Sequence, residues 1–196
     1  MSGPMVVVTD PRPVDPAAVT TTQVLTGEPV VLARAEWPVG DEDDGLPQIA
    51  GFVMSNFSPL VAVIAERCLR AHYGSAPADP VRGATTGVVL ASVRGDVTTV
   101  DTVAAALRDG RRVPPLLFFQ SNPNAVVGHV TSRWGLAGPV VCTSPLGDPL
   151  ADGLAVAALL IEDEAATEVL VIAADLADGA DERDHAVAVL VAGTVG

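Results

Sequence analysis

Residues 122–154 read NPNAVVGHVTSRWGLAGPVVCTSPLGDPLADGL, and the fold turns on how this stretch is read. Asn122, Pro123 and Asn124 open a helical segment that contains Gly128 and His129; the two asparagines are expected to organise the Pro123 turn. Trp134-Gly135-Leu136 is a turn, and Gly138-Pro139 leads into a β-rich run that holds Cys142. A sharp turn from Ser144 to Pro149 follows. Residues 150–162 (LADGLAVAALLIE) then form a helix that is apolar on nearly every side after its first turn. Such a helix is expected to be buried all round.

The flanking segments alternate in the same way. Downstream, residues 168–175 (EVLVIAAD) predict a strand buried on both faces, and residues 186–194 (AVAVLVAGT) a last one. Upstream, residues 87–92 (GVVLAS) predict another doubly covered strand, and residues 98–108 a helix closed by Gly110. Residues 59–73 (PLVAVIAERCLRAHY) carry Leu60, Val63, Ile64 and Leu69 at helical spacing, opposite Glu66, Arg67 and Arg70. Ser58 and Pro59 are its expected N-cap and first turn, and Gly74 its end. Residues 30–36 (VVLARAE) predict an edge strand. Residues 5–9 (MVVVT) are a short β-rich run before a Pro-rich connection, and residues 40–45 (GDEDDG) a solvated acidic loop. Strands alternating with helices imply α/β layers around a largely parallel sheet. There is no internal repeat.

Composition narrows the function. With 196 residues, 49% apolar but only 4% aromatic, a single domain must fill its core with Ala, Val and Leu. The longest apolar run, near residues 153–161, is far short of the ~20 residues that span a bilayer. The first nine residues have neither a basic start nor a cleavage-like site, so a cytoplasmic protein is expected. Net charge is −13, from 24 acidic and 11 basic residues, all of the latter arginine. That acidity argues against nucleic acid and anionic membrane as partners. Cys68 and Cys142 have neither metal-ligand nor disulfide-framework spacing and are expected to be buried, reduced packing residues. No motif calls for a cofactor or a metal.

In order, these motifs resemble the amino-terminal half of β-ketoacyl synthases, which have the thiolase-like fold. The shared order is the Pro–Asn, the GHV helix at Gly128–Val130, the Trp134-Gly135-Leu136 turn, Gly138-Pro139 with its strand, a turn into a buried helix, and a strand ending Ala173-Ala174-Asp175. The resemblance covers residues 80–196 well and residues 1–79 loosely. It implies a mixed, mostly parallel sheet with helices on both faces and one buried central helix, residues 1–196 forming one synthase-like amino-terminal domain. In that family an active cysteine opens the buried helix. Counted from Gly138, that position falls on Gly147, or on Asp148 if one residue is inserted before it. Neither can carry an acyl thioester. Cys142 lies about five positions early, inside the strand, where its sulfur is expected to face core. Complete synthases are far longer and keep their catalytic histidines in a second half, so this chain looks like a stand-alone half, as in short synthase-like proteins found beside aryl-polyene and polyketide genes. His72, His129 and His185 match none of those histidines.

Claisen condensation needs a thiolate to hold the acyl chain and donors for the developing oxyanion. Without the sulfur, the resemblance implies a catalytically inactive accessory subunit in polyketide or fatty-acid-type biosynthesis. The alternative is an acyl-transfer or thioester-hydrolysing enzyme using Ser144, His129 and Asp148. Against it, Asp148 reads as a helix N-cap, Ser144 as a turn former and His129 as a hydrogen-bonded core histidine. A lone half would leave one face of the 150–162 helix bare, which implies a homodimer or a heterodimer with a ketosynthase-like subunit. Arg108, Arg111 and Arg112 read as a solvated loop, so any acyl-carrier-protein contact is expected to run indirectly, through that partner.

Overall fold

The computed structural model describes residues 29–39, 45–178 and 183–194. The β-rich run at residues 5–9 and nearly all of the acidic loop at 40–45 lie outside the described residues. In chain order the elements are β1 (Val30–Trp37), α1 (Phe57–Tyr73), α2 (Pro80–Thr85), β2 (Thr86–Ala91), α3 (Val97–Arg108), α4 (Pro115–Gln120), α5 (Pro123–Trp134), β3 (Val140–Thr143), α6 (Pro149–Glu162), β4 (Glu168–Asp175) and β5 (His185–Ala192).

The five strands form one sheet in the order β1-β5-β4-β2-β3. β2 pairs parallel with β3 and with β4, while β5 runs antiparallel to both β4 and β1. Four strands therefore point one way and β5 the other. The expected edge strand is β1, and β3 is the opposite edge. Strand alternation divides the core into two layers. Val88, Leu90, Leu170, Ile172, Ala188 and Leu190 face α1 and α5. Val89, Val169, Val171, Val189 and Val191 face α6.

Helix α1 anchors the first layer. Leu60, Ile64 and Leu69 are fully buried, each contributing about 1.5–3 kcal/mol of burial. Its start differs from the expectation: the helix opens at Phe57, and Ser55 Oγ, not Ser58, accepts a backbone N–H there, that of Ser58, at 3.0 Å. Its end is as expected, with Gly74 at φ 85° donating to Arg70 O. The short helices α2 and α4 were not expected from the sequence.

Two glycines set the approach of the layers. A Cβ on Gly138 would meet the Thr86 carbonyl at 2.6 Å, so Gly138-Pro139 lets the chain cross β2 closely before β3 begins. A Cβ on Gly153 would lie 2.7 Å from Val171 Cγ1, so glycine lets α6 rest directly on β4. The expectation that α6 is buried all round needs correction. Gly153, Ala157 and Ala158 are buried against the sheet, whereas Ala151, Asp152, Ala155, Leu159 and Glu162 are exposed. Among the described residues, only the sheet side of the helix has anything to pack on.

Candidate functional site

The carboxyl ends of parallel strands are where α/β sheets gather ligands, because loops diverge there and leave a crevice. Here the ends of β2 and β3 border a cavity of about 440 Å³, lined by Leu90, Ser92, Val100, Cys142 and Ser144 among others. Asp175, the last residue of β4, organises its rim. Its Oδ1 accepts from Ser92 Oγ at 2.9 Å, from Val93 N at 3.0 Å and from Arg94 N at 3.3 Å. Ser92 Oγ in turn accepts from Gly95 N. One carboxylate thereby fixes the loop between β2 and α3.

A second polar network lies behind that loop. Asp96, 3% exposed, caps α3 by accepting from Thr99 N and from the Thr99 hydroxyl. Gln120 Nε2 donates to Thr99 Oγ1 and to Val53 O, tying α4 to α3 and to the segment before α1. The sequence held a signal for Asp96, a carboxylate just ahead of a helical run, and for Asp175, an acid ending an apolar strand. Gln120 gave none, since its partners are distant in the chain.

Cys142 packs against the first core layer, as expected of it, but it is not fully buried. It is half-buried and borders the cavity, and its thiol donates to Asn124 Oδ1 at 3.0 Å. Its register beside Leu90 puts it on the α1 and α5 face, and its partial exposure follows from β3 being an edge strand that ends at the crevice. Burial raises its pKa above the ordinary thiol value, so it rests as a neutral thiol. Cys68 is fully buried, as expected, with its pKa pushed up to about 11 by desolvation.

The turn into α6 holds no sulfur. Gly147 and Asp148 are exposed, and a Cβ on Gly147 would meet nothing closer than Asp152 Oδ2 at 4.0 Å. Asp148 is the N-cap of α6, its Oδ1 accepting from Ala151 N at 2.9 Å. The carboxylate thus faces the positive end of the helix, as the capping reading requires. Ser144 donates its hydroxyl to Val93 O at 3.0 Å, joining the two loops above the cavity.

His129 is elsewhere. It borders a groove of about 510 Å³ between α1 and α5, and its ring stands edge-on to Phe52 with centroids 5.9 Å apart. It is half-buried, in contrast to the core histidine expected. Ser144 and Asp148 share a turn region, but His129 is not brought to them. In the same groove, Glu66 accepts from Trp134 Nε1 at 2.8 Å and from Arg133 Nε at 3.1 Å, and pairs with Arg70. Burial raises the Glu66 pKa, but the hydrogen bonds from Arg133, Arg70 and Trp134 more than offset it, and the net shift is downward.

At the opposite end of the sheet, the amino ends of β2 and β4 carry a staple. Tyr73 donates to Glu168 and meets Thr86 Oγ1 at 3.0 Å, while Arg82 pairs with Glu168. Desolvation first, then the bond to Glu168, push the Tyr73 pKa up to about 12. Asn122 caps α5 by accepting from Asn124 N, which is the turn-organising role expected of it. Arg111 pairs with Asp109 at 3.0 Å on an exposed loop. Among the described residues no cluster of three or more metal-ligating side chains occurs, and no helix is long and apolar enough to cross a membrane.

No family model and no curated protein matches the chain. Solved structures do. A ketosynthase (ApeO) in complex with its chain length factor (ApeC) from Xenorhabdus doucetiae is 21% identical with a TM-score of 0.60, covering 77% of this chain and 63% of that one. The ishigamide ketosynthase/chain length factor gives 17% identity and a TM-score of 0.61, covering 85% of this chain and 62% of that one. A β-ketoacyl synthase from Burkholderia phymatum gives 18% identity and a TM-score of 0.58, covering 84% and 52%. This chain therefore spans between about half and two thirds of the length of these three structures. At these identities the likeness speaks to architecture, and with the sheet order above it is sufficient: the chain has the thiolase-like α/β fold of the ketosynthases.

Proposed function

We propose that this chain is a ketosynthase-like accessory subunit without condensing activity, acting as one half-domain over residues 1–196 in polyketide or fatty-acid-type biosynthesis. The observation that carries the reading is the start of α6. There a capping Asp148 and an exposed Gly147 occupy the turn, while the nearest thiol, Cys142, is neutral and donates to Asn124. A condensing enzyme needs an accessible nucleophile at the end of the acyl channel and a base to activate it. Neither Ser144, committed to Val93 O, nor His129, in the α1–α5 groove, supports that role.

Pairing with a second subunit is the other half of the proposal. Two of the matched structures are described as ketosynthases with chain length factors, which favours a partner of the same fold. Exposed apolar surface favours it too: Phe118 and Phe119 on α4 are each 75% exposed, and among the described residues β3 pairs with a strand on one side only. Incubation with malonyl- and acyl-CoA thioesters, followed by thiol release and intact mass, tests the first half. The expected result is no CoA release above buffer and no mass adduct; turnover or a stable acyl adduct overturns it. Co-expression and pull-down with a ketosynthase encoded beside this chain's gene tests the second.

A further inference from the structure

Four of the five exposed residues of α6, all but Ala151, mark out one stripe. Asp152, Ala155, Leu159 and Glu162 are spaced i, i+3, i+7 and i+10, so they line up along about 15 Å of helix. The middle of the stripe is apolar and both ends are acidic. Leu146, fully exposed in the preceding turn, extends the apolar part, and Leu159 is 55% exposed. Around it lie Asp148, Asp163 and Glu164, all exposed. No lysine, arginine or histidine occurs between Arg133 and Arg183 in the sequence. On this side of the sheet Arg34, whose strand position is opposite Val189, is already held by Glu36 at 2.7 Å. Arg70 and Arg133 are engaged with Glu66 in the other layer.

Two features of this stripe point to what covers it. The first is symmetry. In a two-fold pair of α6 helices crossing antiparallel about the Ala155–Leu159 centre, Asp152 of each copy would oppose Glu162 of the other, twice. In a parallel pair each acid would oppose itself. Both arrangements bring like charges together around an apolar contact, which is what interfaces avoid. The second is the helix dipole. Glu162, Asp163 and Glu164 crowd the negative end of α6, and among the described residues none of them has an ion pair. Acids at that end are unfavourable unless a cation arrives from outside.

We propose that the outer stripe of α6 is the seat of a different polypeptide, one that brings an apolar ridge flanked at both ends by arginine or lysine, and that it is not a surface for self-association. This rests on the reading of the chain as a paired half-domain, and it specifies the partner's chemistry. The charge pattern makes the pair a heterodimer across this face, whatever other contacts the chain makes through α4 or β3.

A charge-swapped copy of the chain serves as the basic partner. Sedimentation velocity would be run on wild type, on D152R/E162R and on their equimolar mixture, at low salt and at about 1 M salt, where the screening length falls to about 3 Å. The expected result is a one-to-one complex in the mixture alone, weakened tenfold or more by salt and lost when either member carries A155D. D152N/E162Q gives a second readout, since removing the repulsion should let that variant self-associate at least about tenfold more tightly than wild type. Self-association of wild type that A155D abolishes overturns the proposal. So does a mixture that forms no A155D-sensitive complex. Neither outcome bears on the thioester assay, so failure here and failure of the accessory reading are distinguishable.

Discussion

The two faces of the sheet differ in kind. Under α1 and α5 the core holds Phe57, Leu60, Ile64, Leu69, Trp134, Leu170 and Ile172, all buried to within 1% exposure or less. Under α6 the sheet offers five buried valines, met by Gly153, Ala157 and Ala158. The first face is closed, deep and rich in large side chains. The second is thin, and the helix that covers it is left half bare. Large buried side chains carry stability, because each removes more apolar area from water. The thin face leaves its helix with apolar surface still exposed, such as Leu159.

Leucine truncation separates the two most sharply. Leu60→Ala, in the closed layer, is expected to cost about 3 kcal/mol, since the site is too well packed to collapse around the cavity. Leu159→Ala, on the bare side of α6, should stay within about 0.5 kcal/mol. Urea denaturation of the two variants measures this directly. Comparable losses would mean that α6 is buried by a second copy in solution. The next effect probes the thin face at its closest approach. Gly153→Val places branched carbon where Val171 Cγ1 already stands 2.7 Å from a Cβ, so α6 must lift off β4. The expected cost is about 2 kcal/mol, measured the same way.

Electrostatics give a smaller, pH-dependent contrast. Glu66 serves the closed layer, where Trp134 Nε1, Arg133 and Arg70 converge on it. Its folded pKa is below its ordinary value of 4.5. Stability from this carboxylate is therefore complete above about pH 4.5 and is lost as pH falls below that, through the depressed folded value. Glu66→Gln should cost about 1.5 kcal/mol at neutral pH, and the gap to wild type should close on acidification. Denaturation midpoints at neutral pH and below pH 4.5 would reveal it. A gap that widened in acid would place the pKa shift in the other direction.

Much of this was legible in the sequence because the pattern and the packing agree. The 3.6-residue spacing of Leu60, Ile64 and Leu69 and the unbroken apolar runs of β2 and β4 state which residues meet. Asp148 as a cap was equally legible, since capping needs only the local chain. What failed was environment. Uniform apolarity in α6 reads as burial all round, yet Ala151, Ala155 and Leu159 are among the residues turned outward, and an apolar residue shows no difference in the sequence between a covered and an uncovered face. The burial of Cys142 was overestimated for a related reason: β3 has only four residues, too few for alternation to say how closed its side is. The helix α4, PLLFFQ, has no apolar period to detect and exists because Pro115 starts it and Gln120 ties it to Val53 and Thr99. The start of α1 at Phe57 in place of Pro59 is a slip of two residues, the ordinary uncertainty of a helix boundary.

The finest comparison is between the two places where a sulfur can be offered. Cys142 is half-buried, raised in pKa and hydrogen-bonded, whereas Gly147 is exposed at the amino end of α6, with room for a side chain. A cysteine introduced by Gly147→Cys should react with iodoacetamide at neutral pH about fivefold faster than Cys142, near 1 kcal/mol, because it is accessible and feels the helix dipole. The dipole does not act alone there. Asp152 Oδ2 lies 4.0 Å from that Cβ and opposes a thiolate, so adding Asp152→Asn should raise the rate by a further factor of about two. Peptide-level mass spectrometry of the alkylated sites reads both steps. Equal labelling of the two sulfurs would show that this turn no longer activates a thiol, and an unchanged rate on adding Asp152→Asn would show that the acid screening the turn is Asp148 instead.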